Sequence, residues 1–185
     1  MILEIKKAVE ILKNGGIILY PTDTVWGIGC DATNVIAVKK VFKIKKRKSE
    51  KALICLIRDL NMLKDYVIKL PDGIEKIIND PIPTTIVYQN PQGVAHNLIA
   101  EDNSLAFRIP QNEFCQKLIS EFGKPIVSTS ANISLNKTPF KYSEITSTIL
   151  EGVDHVVNLF KEKKCSLPSR IFKMDVNGKL QVIRK

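Results

Sequence analysis

The chain has 185 residues, 44% of them hydrophobic and 25% charged, enough for a real core in an ordinary water-soluble domain. No apolar run approaches the ~20 residues of a membrane-spanning helix, and the N-terminal MILEIKKAVEILKNGG is charged throughout, unlike a signal peptide. A cytoplasmic protein is expected, and the net charge of +9 points to anionic partners: nucleotide, nucleic acid or phosphate.

Residues 3–13 place Ile5, Ala8, Val9 and Leu12 on one helical face, and Gly15-Gly16 stops that helix. GIILY (16–20) reads as a short buried strand, and PTDTVWGIGCDAT (21–33) as a loop. Asn34 caps a helix running to about Ile44, where Val38, Val41 and Phe42 share a face. ALICLI (52–57) is a continuous apolar strand, and 59–69 and 72–79 read as helices. TTIVYQ (84–89), SLAFRIP (104–110) and PIVST (125–129) read as strands around an amphipathic helix, 112–123, closed by Gly123. A helix near 143–150 and a strand in VDHVVN follow. The closing RIFKMDVNGKLQVIRK has two alternating runs flanking Asn177-Gly178, the pair favoured by a type I′ hairpin turn. With no repeat and no linker, residues 1–185 form one mixed α/β domain.

Cys30, Cys55, Cys115 and Cys165 lie far apart without a CxxC pair, and His96 and His155 are isolated. Reduced thiols are expected, and no metal site built from the protein. Three polar clusters follow or interrupt apolar strands: PTDT after GIILY, STSANIS after PIV, and Arg108 within SLAFRIP. Ligands of open α/β sheets collect beyond strand ends, where hydroxyls donate to anionic oxygens and short side chains admit close approach. Such residues also serve simply as turns and caps. The basic run VKKVFKIKKRKSEK (38–51) has three readings: a solvated helix face, a nucleic-acid patch, or a phosphate clamp built on Lys45 and Arg47. No GxSxG, Walker loop or nucleophile–base spacing is present. An enzyme with this sequence would work by positioning and charge neutralisation, as phosphoryl and nucleotidyl transfer do.

Taken in order, these clusters resemble the YrdC-like family, the threonylcarbamoyl-AMP synthases. YPTDTVWGIGCDATN is similar to its N-terminal signature, IKKRKSEKALICLI to its Lys-x-Arg segment, and PIPTTIVYQ to its Pro-Gly-Pro-x-Thr strand. SLAFRIP and PIVSTSANIS resemble its core motifs, and LPSRIF and QVIRK its closing strands. The resemblance implies a twisted α/β sheet around a large basic cavity. It implies synthesis of threonylcarbamoyl-adenylate and pyrophosphate from L-threonine, bicarbonate and ATP, with Mg²⁺ bound with the ATP. It also implies downstream enzymes of tRNA t6A modification.

By motif, Lys45, Arg47, Ser130 and Asn132 would form the catalytic tetrad. Thr24, Arg108, Ser128 and Ser169 would bind threonine, and Arg47, Lys51, Ser104, Ser130, Thr138 and Arg184 would bind ATP. This chain departs from the family pattern at Ala52, Leu56, Ile82, Leu135 and Arg170. Two other readings use the same residues. One is an RNA-binding module on the basic face, against which stand the 6% aromatic content and the lack of an RNP-like motif. The other is a nucleotide-binding relative without activity.

Overall fold

A computed structural model describes residues 1–46 and 53–185. Helix α1 (Ile2–Lys13) leads into β1 (Ile18–Tyr20) and β2 (Gly27–Gly29), followed by α2 (Val35–Ile44) and β3 (Ile54–Leu56). Two short helices, α3 (Leu60–Lys64) and α4 (Ile74–Ile78), precede β4 (Thr84–Gln89) and β5 (Ser104–Arg108). The chain continues through α5 (Glu113–Phe122), β6 (Ile126–Ser130), α6 (Ser147–Gly152) and β7 (His155–Val156), and ends in β8 (Arg170–Met174) and β9 (Leu180–Arg184). The strands form one nine-stranded mixed sheet in the order β7-β1-β2-β6-β3-β5-β4-β8-β9.

Most expected elements are present, and the differences have local causes. A strand, β2, runs inside the expected loop: Gly27, Ile28 and Gly29 pair with β1 on one side, and Gly27 and Ile28 with β6 on the other. Glycine is a poor strand former, but here close approach demands it. A Cβ on Gly29 would meet the Val127 carbonyl oxygen at 2.4 Å. The helices expected over 59–69 and 72–79 shrink to five residues each. The closing hairpin forms, but not with a type I′ turn. Only Gly178 of the Asn177-Gly178 pair has positive φ (92°), and the Asp175 carboxylate accepts from the Asn177 and Lys179 amides. Gly178 N–H bonds back to the Asp175 carbonyl, so the loop is a three-residue turn ending in a left-handed glycine. Two caps are as expected: Asn34 Oδ1 accepts from the Ile36 and Ala37 amides, and Gly123 closes α5 at φ 77°.

Alternation along the strands splits the core into two layers. Leu19, Cys55, Ile86, Leu105, Phe107 and Val127 face a layer that includes α2, α3, α4 and α6. Ile18, Tyr20, Leu56 and Ile126 face the other way and are covered by α1 and α5, through residues such as Leu12, Phe114 and Leu118. Those two helices cover only part of their face. The rest of it, across β6, β3, β5, β4, β8 and β9, is left to a cavity.

Candidate active site

The alternation that buries Ile126 and Val127 on opposite faces sends Ser128 to the same face as Ile126. Beyond the reach of α1 and α5, Ser128, Ser130, Ile54, Arg108, Thr85 and Ile171 therefore meet around one cavity of about 250 Å³. The PTDT loop, residues 21–24, closes it from the side through Thr22 and Thr24, and Thr138, Ser169 and Arg184 complete the rim. All four threonine-set residues, Thr24, Arg108, Ser128 and Ser169, line this cavity, with Ser130, Thr138 and Arg184 from the ATP set.

Arg108 is 3% exposed. Its Nη1 donates to Thr24 Oγ1 at 2.9 Å, and its Nη2 lies 3.3 Å from Asp23 Oδ1, close enough to pair charge but not aligned as a hydrogen bond. Arg108 Nε is buried with no hydrogen-bond partner among the described residues. A buried donor left unmade costs about 1–3 kcal/mol, which a ligand oxygen can recover. Arg184 sits across the rim, its Nε and Nη2 donating to the Ser169 carbonyl at 3.0 and 2.6 Å. Partial burial and the nearby Arg108 charge both lower its pKa, so two guanidinium groups share one space. Among the described residues no carboxylate lines that cavity. Such a space favours anions. Ser169 Oγ and Thr85 Oγ1 are 2.7 Å apart, a buried hydroxyl pair beneath it.

Lys45 and Asn132 stand beside the cavity rather than in its lining. Lys45 is the residue after α2 and is 1% exposed. Its Nζ donates to the carbonyls of Ser130 and Asn132 at 2.6 and 2.8 Å and to Asn132 Oδ1 at 3.1 Å. Ser130 Oγ donates to Asn132 Oδ1 at 2.6 Å, and Asn132 Nδ2 to the Asn136 carbonyl at 2.6 Å. Three of the four tetrad residues are thus one hydrogen-bonded unit. The fourth, Arg47, and the ATP-set Lys51 lie outside the described residues.

Ser104 does not reach the cavity. It sits at the opposite end of β5 from Arg108, 4% exposed, with its hydroxyl bonded to Asp102 Oδ1 at 2.5 Å.

The departures from the family pattern resolve individually. Leu56 is fully buried under α1 and α5, outside the lining. Arg170 turns away to donate to Asp80 Oδ2 (2.8 Å) and Thr84 Oγ1 (2.7 Å). Ile82 is exposed on the loop before β4. Leu135 is exposed and left-handed at φ 72°, the conformation glycine adopts freely, and Thr138 still reaches the cavity. Ala52 lies outside the described residues.

Sequence reasoning missed Asp23, Thr85 and Gly27. The PTDT motif contained Asp23, but nothing in the sequence paired it with a residue 85 positions later. A second cavity of about 300 Å³ lies across the PTDT loop, lined by Asp23, Trp26, Phe114 and Phe160 among others. It is more apolar, and its charged lining is mixed, Lys163 and Lys164 standing with Asp23 and Glu113, whereas the charged lining of the first cavity among the described residues is Arg108 and Arg184.

Gly27 offers a test of the cavity floor. A Cβ there would lie 3.1 Å from Ser128 Oγ. Gly27→Ala is expected to fold and to raise KM for the cavity's small ligand roughly tenfold, about 1.4 kcal/mol. Steady-state kinetics of the activity proposed below check this.

A doubly cationic cavity walled by hydroxyls, beside a buried Lys–Ser–Asn unit, defines a site for binding and activating anionic substrates. The chain belongs to the Sua5/YciO/YrdC family, whose model, described as "Telomere recombination", matches residues 10–185. A threonylcarbamoyl-AMP synthase of Buchnera aphidicola is 34% identical over 183 residues, 97% of each chain. One from Pseudoalteromonas translucida is 34% identical over 158 residues, 83% of this chain and 84% of its own. Among solved structures, P. abyssi Sua5 complexed with L-threonine superposes with a TM-score of 0.81 at 24% identity. That match covers 92% of this chain, which spans about half of the P. abyssi protein, 50% of its length.

Proposed function

We propose that this chain is a threonylcarbamoyl-AMP synthase. It forms L-threonylcarbamoyladenylate and pyrophosphate from L-threonine, bicarbonate and ATP, in the cytoplasm, for the t6A modification of tRNA. The observation that carries the reading is the convergence of Thr24, Arg108, Ser128 and Ser169 on one cavity that also holds Ser130, Thr138 and Arg184. Relatives of that activity match over most of the chain.

The amine of threonine attacks bicarbonate, giving a carbamate and water. A carbamate oxygen then attacks the α-phosphorus of ATP, the bond to the β-phosphate oxygen breaks, and pyrophosphate leaves. Both reactants of the second step are anions. Two like charges at ~4 Å and an effective dielectric of ~20 repel by about 4 kcal/mol, roughly a 10³-fold penalty. Arg108 offsets it by taking the threonine carboxylate, and Arg184 by taking phosphate oxygens. Thr24, Ser128 and Ser169 orient the amino acid. Lys45, locked to Ser130 and Asn132, holds the loop on which the reacting groups meet.

Mg²⁺ enters as the ATP complex. Among the described residues no three His, Cys, Asp or Glu side chains gather to hold a metal. No protein nucleophile is required.

The test incubates purified protein with ATP, Mg²⁺, L-threonine and bicarbonate, and follows the adenylate and pyrophosphate by chromatography. Product that disappears without threonine, or with Arg47→Ala, is the expected result. Folded protein that binds ATP without turning it over would instead be a nucleotide-binding relative. Protein that binds only RNA, with steep salt dependence, would be an RNA-binding module.

A further inference from the structure

The PTDT loop is a wall with a cavity on each side. Thr22 and Thr24 line both, and Asp23 lines the second, more apolar one. Two walls of that second cavity are the fully buried rings of Trp26 and Phe114, and a third is Phe160. The Phe160 ring is half-exposed, and its backbone is left-handed at φ 55°, a conformation that bulky residues rarely adopt. The segment after it is fastened to the loop. The Thr24 carbonyl accepts from the Ser166 amide at 2.9 Å, and Ser166 Oγ donates to the Asp23 carbonyl at 2.8 Å.

Two buried oxygens on its lining residues make no hydrogen bond among the described residues, Asp23 Oδ1 and Asn112 Oδ1. The Asp23 side chain is 10% exposed. Its Oδ2 accepts from the Gln111 amide at 3.1 Å, while Oδ1 meets only the unaligned Arg108 Nη2 at 3.3 Å. Both unpartnered atoms are acceptors, so what they lack is a donor. The other acid of the lining, Glu113, is exposed and taken by Lys117 at 2.6 Å. Lys163 and Lys164 are exposed and enter no ion pair among the described residues.

This lining suits a cationic donor at Asp23, an apolar body between the three rings, and an anionic group at the lysines. An ammonium brings three N–H donors and is attracted to aromatic faces. A carboxylate pairs with a lysine. An α-amino acid with a large apolar side chain carries all three groups.

We propose that the second cavity binds a zwitterionic amino acid with a large apolar side chain, and that its occupancy tightens threonine in the first cavity. Asp23 is the link. Arg108 divides its charge between Asp23 and the threonine carboxylate. An ammonium beside Asp23 offsets that residue's field and leaves Arg108 to the substrate. The coupling rests on the synthase reading, which seats threonine at Arg108; the pocket itself does not.

The probe is L-phenylalanine, with phenethylamine and 3-phenylpropionate as analogues that each lack one charge. Trp26 is the chain's single tryptophan, so its emission reports on this cavity, and calorimetry gives Kd. Saturable binding of L-phenylalanine is expected, with each analogue at least about tenfold weaker. Phe160→Ala should weaken it about tenfold and leave kcat and KM for threonine unchanged when no phenylalanine is present. Asp23→Asn should bring L-phenylalanine down to the affinity of 3-phenylpropionate. Threonine should lower the Kd of L-phenylalanine roughly 5- to 10-fold, and phenylalanine that of threonine by the same factor.

Absence of saturable binding, equal affinity for the three probes, or affinity unmoved by Phe160→Ala overturns the site. Competition between threonine and L-phenylalanine overturns it as well, since the two would then share one cavity. An unchanged Kd in the presence of saturating threonine overturns the coupling. Wild-type protein that binds L-phenylalanine with these preferences but makes no adenylate overturns the synthase reading and upholds the pocket.

Discussion

Arg108→Ala is expected to lower kcat/KM for threonine roughly 10²- to 10³-fold, because a buried charged hydrogen-bond partner costs about 2–5 kcal/mol when truncated. It is also expected to destabilise the fold, and the two effects must be separated. Asp23 faces Arg108 at 3.3 Å, its side chain 10% exposed. Removing the guanidinium leaves that carboxylate buried without its counter-charge, a loss of about 3–5 kcal/mol. For a domain of this size this lowers Tm by about 10 °C.

The double variant Asp23→Asn/Arg108→Ala removes both charges. It should recover most of the lost Tm and none of the lost activity. Recovery of activity along with stability would mean that Arg108 acts only through the fold. Arg108→Lys is the complementary probe. It keeps one positive charge but not the fork, so it should retain stability better than activity.

The Arg108–Asp23 pair marks where sequence reading stops. Both residues stood in motifs that the sequence displays, PTDT and SLAFRIP. Their contact depends on the order in which nine strands lie side by side, and no local pattern encodes that order. The helices were legible because burial on one face repeats every turn, as in α1 and α5. The strands β4 and β5 were legible through continuous apolar or β-branched runs. Strand β2 was not, since Gly27-Ile28-Gly29 has turn composition and becomes a strand through pairing with β1 and β6. Ser104 shows the limit on the site side. Its motif was visible, and its place four residues from Arg108 followed from the expected strand, but that the cavity takes in Arg108 and not Ser104 needed the assembled sheet. The hairpin turn shows another. Asn177-Gly178 carries a strong local signal, yet the Asp175 carboxylate captures the amides and selects a different turn.

Lys45→Met tests whether the tetrad's lysine acts first on structure or on chemistry. The substitution keeps the volume of the side chain and removes the charge and its donors. In the wild type, Nζ meets three oxygens of Ser130 and Asn132, and the Lys45 carbonyl accepts from the Ser134 amide. The segment after β6 is therefore tied to the end of α2 by one side chain and one backbone bond. Without the ammonium, three acceptors in a largely buried place lose a donor. Unsatisfied buried groups cost about 1–3 kcal/mol each, and relaxation of the loop recovers part of that. A net loss of about 3 kcal/mol is expected, which lowers Tm by about 6–12 °C. Amide exchange should accelerate over 131–136, while β4 and β5 keep their protection. Activity should fall by at least a factor of ~100, since Ser130, the last residue of β6, adjoins the released segment and lines the cavity. Lys45→Arg gives the decisive contrast. Restored protection over 131–136 with activity still lost would assign the ammonium to the reacting groups themselves. Restored protection with restored activity would make it a clamp that positions Ser130 and Asn132.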